Sequence, residues 1–399
     1  MRPDGTALFL AGTLPGELVQ PGRVSKRGNG LAADSTIIEA SADRCAAPCP
    51  HFGPCGGCAL QHMADSAYAA WKRGVLDDVV RRLGFAGEMP PLVRTPPGAR
   101  RRMDLAFRRD GAAIRIGLHA RRSTEIVDMQ SCPVLHPTLF ALVQALRPVL
   151  RSLDGLKQAG SALVNLLDSG ADLLLRTDAV LSSRDRTRLT ALAEAHGLPR
   201  IAWGLGARGE TEPACQLRPA ITVFSGHTTT VPSGAFLQAS TGSETAIQQA
   251  VLAALPRLTR KARIVELFAG VGTLTHALTT VGSVQAYEGD MAAVQALRGA
   301  GNPRVAAVVR DLARQPLQGP ELKGAGAVVL DPPYGGALAQ MPALAASGLP
   351  IVYVTCNPAA LLRDGRLLMS AGYRVTSAVA IDQFLWSARV EGVVGFSKS

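Results

Sequence analysis

The C-terminal part of the chain alternates apolar strand-like segments with helical ones, and this alternation constrains the fold more than any other feature. From about residue 262 onward, strands are expected at 263–268, 284–288, 305–310, 326–330, 350–355, 373–380 and 390–397. Helical stretches fall between most of them. This pattern is typical of a doubly wound α/β sheet with helices on both faces, in which ligands bind at the carboxyl ends of the strands.

A glycine-rich turn follows the first of these strands. The run 264–268 is apolar except for Glu266, and it leads through Ala-Gly-Val-Gly-Thr at 269–273 into helical residues. A strand, a Gly-x-Gly turn and a helix favour a cofactor site, because glycines let a ligand approach the backbone and a helix start offers free N–H groups. Gly270 and Thr273 are therefore candidate cofactor-binding residues. Many nucleotide-binding folds share this motif, but a Gly-x-x-x-x-Gly-Lys loop is absent from the sequence, which disfavours a nucleoside triphosphate.

Acidic residues end three successive strands after this turn. Glu288 lies eighteen residues after Gly270, where an acid can hold both hydroxyls of a ribose. Asp311 follows the third strand and suits an adenine amine, and Asp331 follows the fourth. These carboxylates are expected along one edge of the sheet. The alternative is that they only cap the helices that follow.

A cysteine and a glutamate are the candidate catalytic residues. Cys356 directly follows the fifth strand, and Asn357-Pro358 then turns the chain, which disfavours full burial of the thiol. A thiolate that adds to carbon-6 of uracil makes carbon-5 nucleophilic enough to accept a methyl group, after which a base must remove the carbon-5 proton. Glu391 is a lone acid in an apolar strand, where desolvation raises the pKa toward that of a useful base. Alternatively, Cys356 is a small buried hydrophobe and Glu391 an exposed residue of an edge hairpin.

The cysteines and arginines are unevenly distributed. Four of the seven cysteines fall within the fourteen residues from Cys45 to Cys58, which in a cytosolic chain favours metal binding or catalysis over disulfides. The net charge is +11 with only six lysines, and the nine arginines between residues 94 and 122 face two acids, Asp104 and Asp110. Such a stretch is expected to bind a polyanion, unless it is an ordinary solvated surface. These nine are Arg94, Arg100, Arg101, Arg102, Arg108, Arg109, Arg115, Arg121 and Arg122.

Three regions are expected along the chain. Residues 1–42 are predicted to form a small β-module, residues 43–225 a central α and β region, and residues 226–399 the α/β domain. Shorter elements are expected as strands at 7–11, 17–19, 35–39 and 172–175, helices at 62–84, 139–153 and 182–196, a linker at 89–97, and a hairpin turn at Asp110-Gly111. The sequence contains neither an apolar run of about 18 residues nor a signal-peptide layout, so we expect a cytoplasmic enzyme.

Several motifs resemble those of one family. The segments ELFAGVGTLT (266–275), DPPYGG (331–336), VYVTCNP (352–358), DQFLWSARVE (382–391) and GAFLQAS (234–240) resemble the RNA uridine-5-methyltransferases. The segments CPHFGPCGGCALQH (49–62) and SCPVLHP (131–137) resemble the iron–sulfur branch, which methylates 23S ribosomal RNA. The resemblance implies a seven-stranded class I methyltransferase sheet that uses S-adenosyl-L-methionine, an inserted α+β RNA-binding and iron–sulfur domain, and a shortened N-terminal TRAM or OB-like β-module.

The resemblance also assigns residues to roles. It implies Cys356 as the nucleophile and Glu391 as the base. It implies a cofactor and uracil pocket lined by Gln238, Phe268, Glu288, Asp311 and Asp331. It implies a [4Fe–4S] cluster held by Cys49, Cys55, Cys58 and Cys132, a spacing looser than that of typical zinc pairs, although zinc stays an alternative. Cys45 lies outside this pattern and is expected, with Cys215, to be structural.

Three positions depart from the family pattern and leave rival functions open. Tyr334 stands where arginine usually follows Asp-Pro-Pro, residues 384–387 read Phe-Leu-Trp-Ser in place of Phe-Pro-His-Thr, and Ser240 replaces an asparagine. The Asp-Pro-Pro-Tyr sequence is the one that amino-methyltransferases acting on adenine or cytosine use. Methylation of cytosine carbon-5, methylation of transfer RNA, and RNA binding without catalysis also stay open. RNA is the expected partner, and a monomer the expected state.

Overall fold

The N-terminal module consists of short strands in two small sheets. The computed structural model describes residues 7–27, 30–259 and 261–398. The first strands are β1 (Leu8–Leu10), β2 (Leu18–Pro21), β3 (Ser25–Arg27), β4 (Gly30–Ala33) and β5 (Ser35–Glu39). Strands β1, β4 and β3 form one sheet in that order, and β2 pairs with β5. The strands expected at 7–11, 17–19 and 35–39 are present, whereas β3 and β4 have no counterpart in the sequence prediction.

A long helix, α1 (Asp65–Arg82), and a two-residue strand, β6 (Val93–Arg94), follow the cysteine-rich loop. The helix buries Leu76 and Val80, four residues apart, against the core of the large C-terminal sheet. It starts later than predicted because the N–H of Ala64 bonds to the carbonyl of Asp43, and it ends where Gly84 adopts a φ of 79°. The prediction of a linker at 89–97 is wrong in part, because this segment contains strand β6.

The central region is a mixed β-sheet, mostly antiparallel, that two helices cover. Its elements are β7 (Arg102–Asp110), β8 (Ala113–His119), β9 (Ile126–Asp128), α2 (Pro137–Ser152), β10 (Ala159–Leu167), β11 (Gly170–Thr177), α3 (Ser183–His196), β12 (Arg200–Leu205) and β13 (Thr211–Gln216). The strand order is β13-β12-β11-β10-β7-β8-β9. The predicted turn at Asp110-Gly111 joins β7 to β8, with Gly111 at a φ of 59°. A capping box at Ser182 and Asp185 starts α3, and Gly197 ends it.

A hairpin and a helix connect this region to the large sheet. Strands β14 (Ile221–Phe224) and β15 (His227–Thr230) pair with each other, and α4 (Thr241–Ala254) follows after the segment 234–240. The side chain of Ser240 accepts a hydrogen bond from the N–H of Ser243 and so caps α4. The serine that departs from the family pattern therefore has a structural role as the N-terminal cap of this helix.

The large sheet alternates strands and helices as the sequence indicates. Its elements are β16 (Arg263–Leu267), α5 (Thr275–Leu278), β17 (Ser283–Glu288), α6 (Met291–Gly299), β18 (Val305–Val309), α7 (Gly319–Leu322), β19 (Ala325–Leu330), α8 (Met341–Ser347), β20 (Ile351–Thr355), α9 (Pro358–Ser370), β21 (Tyr373–Asp382) and β22 (Glu391–Lys398), with a 3₁₀ turn at Leu338–Gln340. The order is β18-β17-β16-β19-β20-β22-β21-β6. Only β22 runs antiparallel to its neighbours among the described strands of this sheet.

Both faces of this sheet are buried, as a doubly wound fold requires. Successive residues of one strand point to opposite faces, so Val328 belongs to the core under α1, α8 and α9, while Val329 belongs to the core under α4, α5 and α6. The predicted α/β class is confirmed. The seven expected strands are present, and β6 extends the sheet to eight by pairing in parallel with the end of β21. In the described part of the chain, no helix is long and apolar enough to cross a membrane.

Candidate active site

The candidate site lies at the edge formed by the carboxyl ends of the parallel strands. Phe268 follows β16, Glu288 ends β17, Asp331 follows β19 and Cys356 follows β20. Glu391 comes from the opposite direction, since it is the first residue of β22, whose Gly392 pairs with Thr355 at the end of β20. Because β22 runs antiparallel to β20, the end of β20 lies beside the start of β22. This register places Glu391 next to Cys356.

The glycine turn after β16 has the backbone conformation that close ligand approach needs. Phe268, Gly270 and Gly272 all have positive φ values, of 63°, 56° and 103°. The φ of Gly272 strains any residue with a side chain, and a Cβ atom there would also lie 2.7 Å from Cδ1 of Leu297, so glycine is favoured at this position. The N–H of Gly270 donates to Oε2 of Glu288 over 2.9 Å. The carboxylate expected to bind a ribose thus borders the turn.

Thr273 and Asp311 make hydrogen bonds to other parts of the backbone and to α4. The carbonyl of Thr273 accepts a hydrogen bond of 2.8 Å from Nε2 of Gln248, which ties the turn to α4. The carboxylate of Asp311 accepts from the N–H groups of Ala313, at 3.0 Å, and Arg314, at 3.2 Å. Asp311 therefore caps the turn 312–314 and not a helix, since α7 starts only at Gly319. The side chain of Asp311 is half exposed.

Gln238 and Asp331 form a polar pair in the middle of the edge. Nε2 of Gln238 donates to Oδ2 of Asp331 over 3.1 Å. Gln238 is 4 % exposed, and within the described residues its Oε1 has no hydrogen-bond partner. Burial raises the pKa of Asp331 to about 6, against the opposing hydrogen bond from Gln238. A buried acceptor without a partner is an expected feature of a site that awaits a polar ligand.

The thiol of Cys356 lies in an acidic, partly buried environment. Burial, followed by the negative charges of Glu391 and Asp331, raises its pKa to about 11, and the guanidinium of Arg389 opposes this shift. Burial and the charge of Asp331 raise the pKa of Glu391 well above its usual range. The thiol of Cys356 therefore holds its proton at neutral pH, and the surroundings of Glu391 favour the protonated form of its carboxyl. A carboxyl with a raised pKa is suited to exchange protons during a reaction.

Two further residues of this site were not identified from the sequence. Nε2 of Gln383 donates to Oε2 of Glu391, while its Oε1 accepts from the N–H of Ala239 over 3.0 Å. Gln383 therefore orients Glu391 and connects it to the residue after Gln238. Glu266 is buried beneath the turn, and burial, with the charges of Asp331 and Glu288, raises its pKa to about 8. The signal for Glu266 is a charged residue at an otherwise apolar strand position, whereas Gln383 lies after the end of β21 and has no such signal.

A buried ion pair supports the loop before Glu391. Nζ of Lys72 lies 2.8 Å from Oδ1 of Asp382, and both side chains are fully buried. Lys72 also donates to the carbonyls of Phe384, at 3.0 Å, and of Arg389. The hydroxyl of Tyr68 donates to Oδ2 of Asp382 over 2.7 Å. Helix α1 thus fixes both ends of the loop 383–390, which departs from the family sequence.

Four cysteines surround one cavity beside this loop. A cavity of about 550 Å³ is lined by Cys49, Cys55, Cys58 and Cys132, together with Phe384, Leu385, Ser387 and Arg389. Burial raises the pKa of Cys58 to about 11, and the nearby thiols of the other three contribute to the shift. Among the described residues, no three His, Cys, Asp or Glu side chains lie close enough to hold a single metal ion.

Cys45 and Cys215 lie outside both the active site and this cavity. Cys215 is buried in the core of the central region, and Cys45 is exposed. The thiol of Cys45 contacts the carbonyl of Gln61 at 3.6 Å. Neither residue lines the cavity that the four cysteines share.

Six of the nine clustered arginines bind within the protein. Arg94 pairs with Asp65 at 2.7 Å, Arg115 with Asp110 at 2.6 Å, and Arg101 with Glu244. Carbonyl groups accept hydrogen bonds from the other three, which are Arg100, Arg109 and Arg121. Much of the charge of this stretch therefore stabilises the fold, so the nine residues do not act as one free basic surface.

Comparison with known proteins gives a consistent set of relatives, although no family model matches the chain. An uncharacterized RNA methyltransferase of Rhizobium meliloti is 37% identical, with 100% of this chain and 95% of the relative covered. The 23S rRNA (uracil(1939)-C(5))-methyltransferase RlmD of Halomonas elongata is 35% identical over 98% of this chain and 85% of its own length. The fold is similar to that of the Pyrococcus abyssi tRNA (uracil-54, C5)-methyltransferase, solved with S-adenosyl-L-homocysteine, with a TM-score of 0.75, 20% identity, and coverage of 98% and 94%.

Proposed function

Because this chain belongs to the RNA (uracil-C5)-methyltransferase family, we propose that it methylates carbon-5 of a uridine in 23S ribosomal RNA by a covalent thiolate mechanism. The observation that carries the proposal is the placement of Cys356 beside Glu391 by the register of β20 and β22. A nucleophile and a proton-accepting carboxyl at adjacent strand ends are the two groups that the reaction needs. The enzyme would act where ribosomal RNA is made, in the cytoplasm, and as a monomer.

The residues of the glycine turn suit S-adenosyl-L-methionine. We assign its binding to Gly270, Thr273 and Phe268 of the turn, to Glu288 and Asp311 at the next two strand ends, and to Asp331 with Gln238. The positive φ values of the turn and the free Oε1 of Gln238 support this assignment. When bound, this cofactor supplies an electrophilic methyl group.

Cys356 and Glu391 act on the uracil ring in sequence. The thiol first gives its proton to water, and Sγ then bonds to carbon-6 while the π bond between carbon-5 and carbon-6 breaks, which makes carbon-5 nucleophilic so that it can take the methyl group. Glu391 removes the proton from carbon-5, the double bond between carbon-5 and carbon-6 returns, and the bond from Sγ to carbon-6 breaks. Gln383, through its hydrogen bond to Oε2, leaves Oε1 of Glu391 as the oxygen available to accept the proton. A base in a helix must leave its stack for this chemistry.

The amino-methyltransferase alternative has less support. It rests on Asp331-Pro-Pro-Tyr334, but an amino-methyltransferase requires neither a thiol at 356 nor a base at 391. The relatives whose names state a substrate are 23S rRNA (uracil-C5)-methyltransferases. The alternative of a transfer RNA substrate has the support of one solved structure. Its sequence is 20% identical to this chain, so the similarity supports the fold alone.

We also propose a [4Fe–4S] cluster at Cys49, Cys55, Cys58 and Cys132. The donor set fits, because all four are thiols that line one cavity, and N–H groups contact two of the sulfurs. Gly57 donates to the sulfur of Cys55 over 3.5 Å, and the N–H groups of Leu135 and Val134 oppose the burial-induced rise in the pKa of Cys132. Hydrogen bonds to sulfur are a feature of iron–sulfur sites. The cluster would tie residue 132 to the loop 49–58.

Nucleoside mass spectrometry tests the reaction and the substrate together. Ribosomal and transfer RNA from cells with and without the gene are compared, and we expect 5-methyluridine to be lost from ribosomal RNA alone. Loss of a methylated adenine or cytosine would instead support the amino-methyltransferase alternative.

A substitution of the nucleophile tests the mechanism. Cys356→Ala should abolish turnover without loss of cofactor binding, and retained turnover would exclude the covalent mechanism.

Metal analysis tests the cluster separately. Protein purified without oxygen should be brown and contain four irons per chain. A colourless protein with one zinc per chain would overturn the cluster assignment without affecting the methylation proposal.

A further inference from the structure

A tyrosine and an arginine beside the nucleophile have no role in the reaction described above. The side chain of Tyr334 is 56 % exposed, and the guanidinium carbon of Arg389 lies 5.0 Å from the centroid of its ring. Tyr334 follows Asp331 by three residues, and Arg389 precedes Glu391 by two. The two side chains therefore meet next to the residues that act on the target base.

The backbone of each residue is fixed although its side chain is exposed. Nδ2 of Asn357, the residue after the nucleophile, donates to the carbonyl of Tyr334 over 2.8 Å. The carbonyl of Arg389 accepts from the buried Lys72. An exposed aromatic ring on a fixed backbone loses little conformational freedom when it binds a partner, which favours recognition.

The guanidinium of Arg389 is free to bind an anion. Its side chain contacts the ring of Tyr334, and the hydrogen bonds of this residue involve its backbone groups. No carboxylate in the described chain forms an ion pair with it. Arg389 also lines the cavity that the four cysteines share. An exposed guanidinium that has no carboxylate partner among the described residues favours binding of a phosphate group.

We propose that Tyr334 and Arg389 bind the nucleotide adjacent to the target uridine, with the ring stacked on its base and the guanidinium bound to its phosphate. The proposal rests on the proposed RNA substrate. The guanidinium covers one face of the ring and leaves the other for a base, and stacking on aromatic side chains is the usual way in which proteins hold unstacked RNA bases. Arginine binds phosphate through two parallel donors.

The ring is a feature of this chain and not of the fold. Tyr334 stands where the family usually has an arginine. In this chain the aromatic ring comes from residue 334 and the positive charge beside it comes from Arg389. Residues 334 and 389 therefore position the nucleotide next to the target uridine, whichever base it carries.

Binding measurements on the full chain, with S-adenosyl-L-homocysteine present, test the pair. The probe is a transcript of 23S ribosomal RNA, and its Kd is measured at several salt concentrations. Tyr334→Ala should raise the Kd by roughly 5- to 150-fold, the range expected for one lost base stack, whereas Tyr334→Phe should stay within about twofold. Arg389→Gln should lower the slope of log Kd against log salt by about one.

A matched control separates the lost contact from the lost charge. Arg374 is exposed at the start of β21, the end of the strand far from Asp382, so Arg374→Gln removes the same charge outside the site. Its salt slope should equal that of the unaltered protein. The thermal unfolding midpoint of each variant shows that the variants are folded.

The possible outcomes distinguish this inference from the proposed function. If the unaltered enzyme methylates the transcript but Tyr334→Ala and Arg389→Gln bind it normally, the pair has no such role and the proposed function stands. A lower kcat with an unchanged Kd and salt slope would likewise overturn the inference, because it would mean that the pair only supports Cys356. If the unaltered chain neither binds nor methylates the RNA, the proposed function itself fails.

Discussion

The catalytic edge and the cysteine cavity lie on two sides of the loop 383–390, and they are built by opposite means. The catalytic edge is made by strand ends, and backbone ladders fix its register. The cavity lies between the loop 49–58, residues 131–134 and the strands β7, β8 and β9, and single hydrogen bonds, not a strand ladder, join the loop to its neighbours. Ala59 and Leu60 donate to the carbonyl of Trp386 over 2.7 and 2.9 Å. The difference indicates that strand pairing fixes the positions of the catalytic groups, whereas separate contacts position the four thiols, so a group bound by all four would add to the stability of the cavity.

The largest effect is expected from Glu391→Gln, which tests the catalytic edge. Without the carboxylate, carbon-5 keeps its proton, so turnover should fall by about 10² to 10⁴-fold. The bond from Cys356 to the RNA should persist, and a covalent complex should accumulate in a denaturing gel. Cys356→Ala is the control that should give no complex. Normal turnover without a complex would contradict the role of Glu391.

The next effect is expected from Lys72→Met, which breaks the support common to both regions. The change leaves Asp382 as an unpaired buried charge, which costs about 3 to 5 kcal/mol in the free energy of unfolding. Chemical denaturation measures this loss. The double variant Lys72→Met, Asp382→Asn should recover part of it, because the unpaired charge is gone. A single variant as stable as the unaltered protein would mean that the pair does not hold the loop.

Exchange of one cysteine tests whether the cavity depends on its thiols. Cys58→Ser should lower the iron content and the thermal unfolding midpoint and make the loop 49–58 more sensitive to proteolysis. Cys45→Ser is the matched control, since Cys45 lies in the same segment but does not line the cavity, and it should change none of these. Equal iron content in the two variants would contradict the assignment of the ligands.

The smallest effect is expected in the reactivity of Cys356. Its pKa is raised to about 11 by burial and by the charges of Glu391 and Asp331. Alkylation requires the thiolate, so its rate should increase with pH across the range from about 7 to 10. Glu391→Gln removes a negative charge and should speed alkylation at mildly alkaline pH by several fold, while Arg389→Gln should slow it. The rate is read by mass spectrometry of the peptide that contains residue 356, and identical rates in all three proteins would contradict the charge arrangement.

The sequence predicts the regular part of the site better than the irregular part. Seven strands of the large sheet follow from their apolar runs, because a buried parallel strand leaves a local and continuous signal. The positions of Phe268, Asp331 and Cys356 at one edge follow from that alternation. The proximity of Cys356 and Glu391 does not, since it requires β22 to lie between β20 and β21. The family resemblance assigns the roles of nucleophile and base to this pair.

Long-range partners explain what the sequence does not reveal. Lys72 and Asp382 are 310 residues apart, and neither residue predicts the other. Strand β6 has two residues and lies among prolines, so it carries no periodic pattern. The arginine stretch shows the opposite error, because its charge is visible in the sequence but the acids and carbonyls that bind six of its members are not.

The position of α1 has a consequence for how the protein is made. The helix comes from residues 65–82, yet its apolar face packs on a sheet formed by residues 263–398. Contacts of such sequence separation make folding slow, because a long loop must close before they form. During synthesis, Leu76 and Val80 stay exposed until β22 has left the ribosome. We therefore expect the nascent chain to depend on chaperones during that interval, and a fragment ending before residue 391 to aggregate.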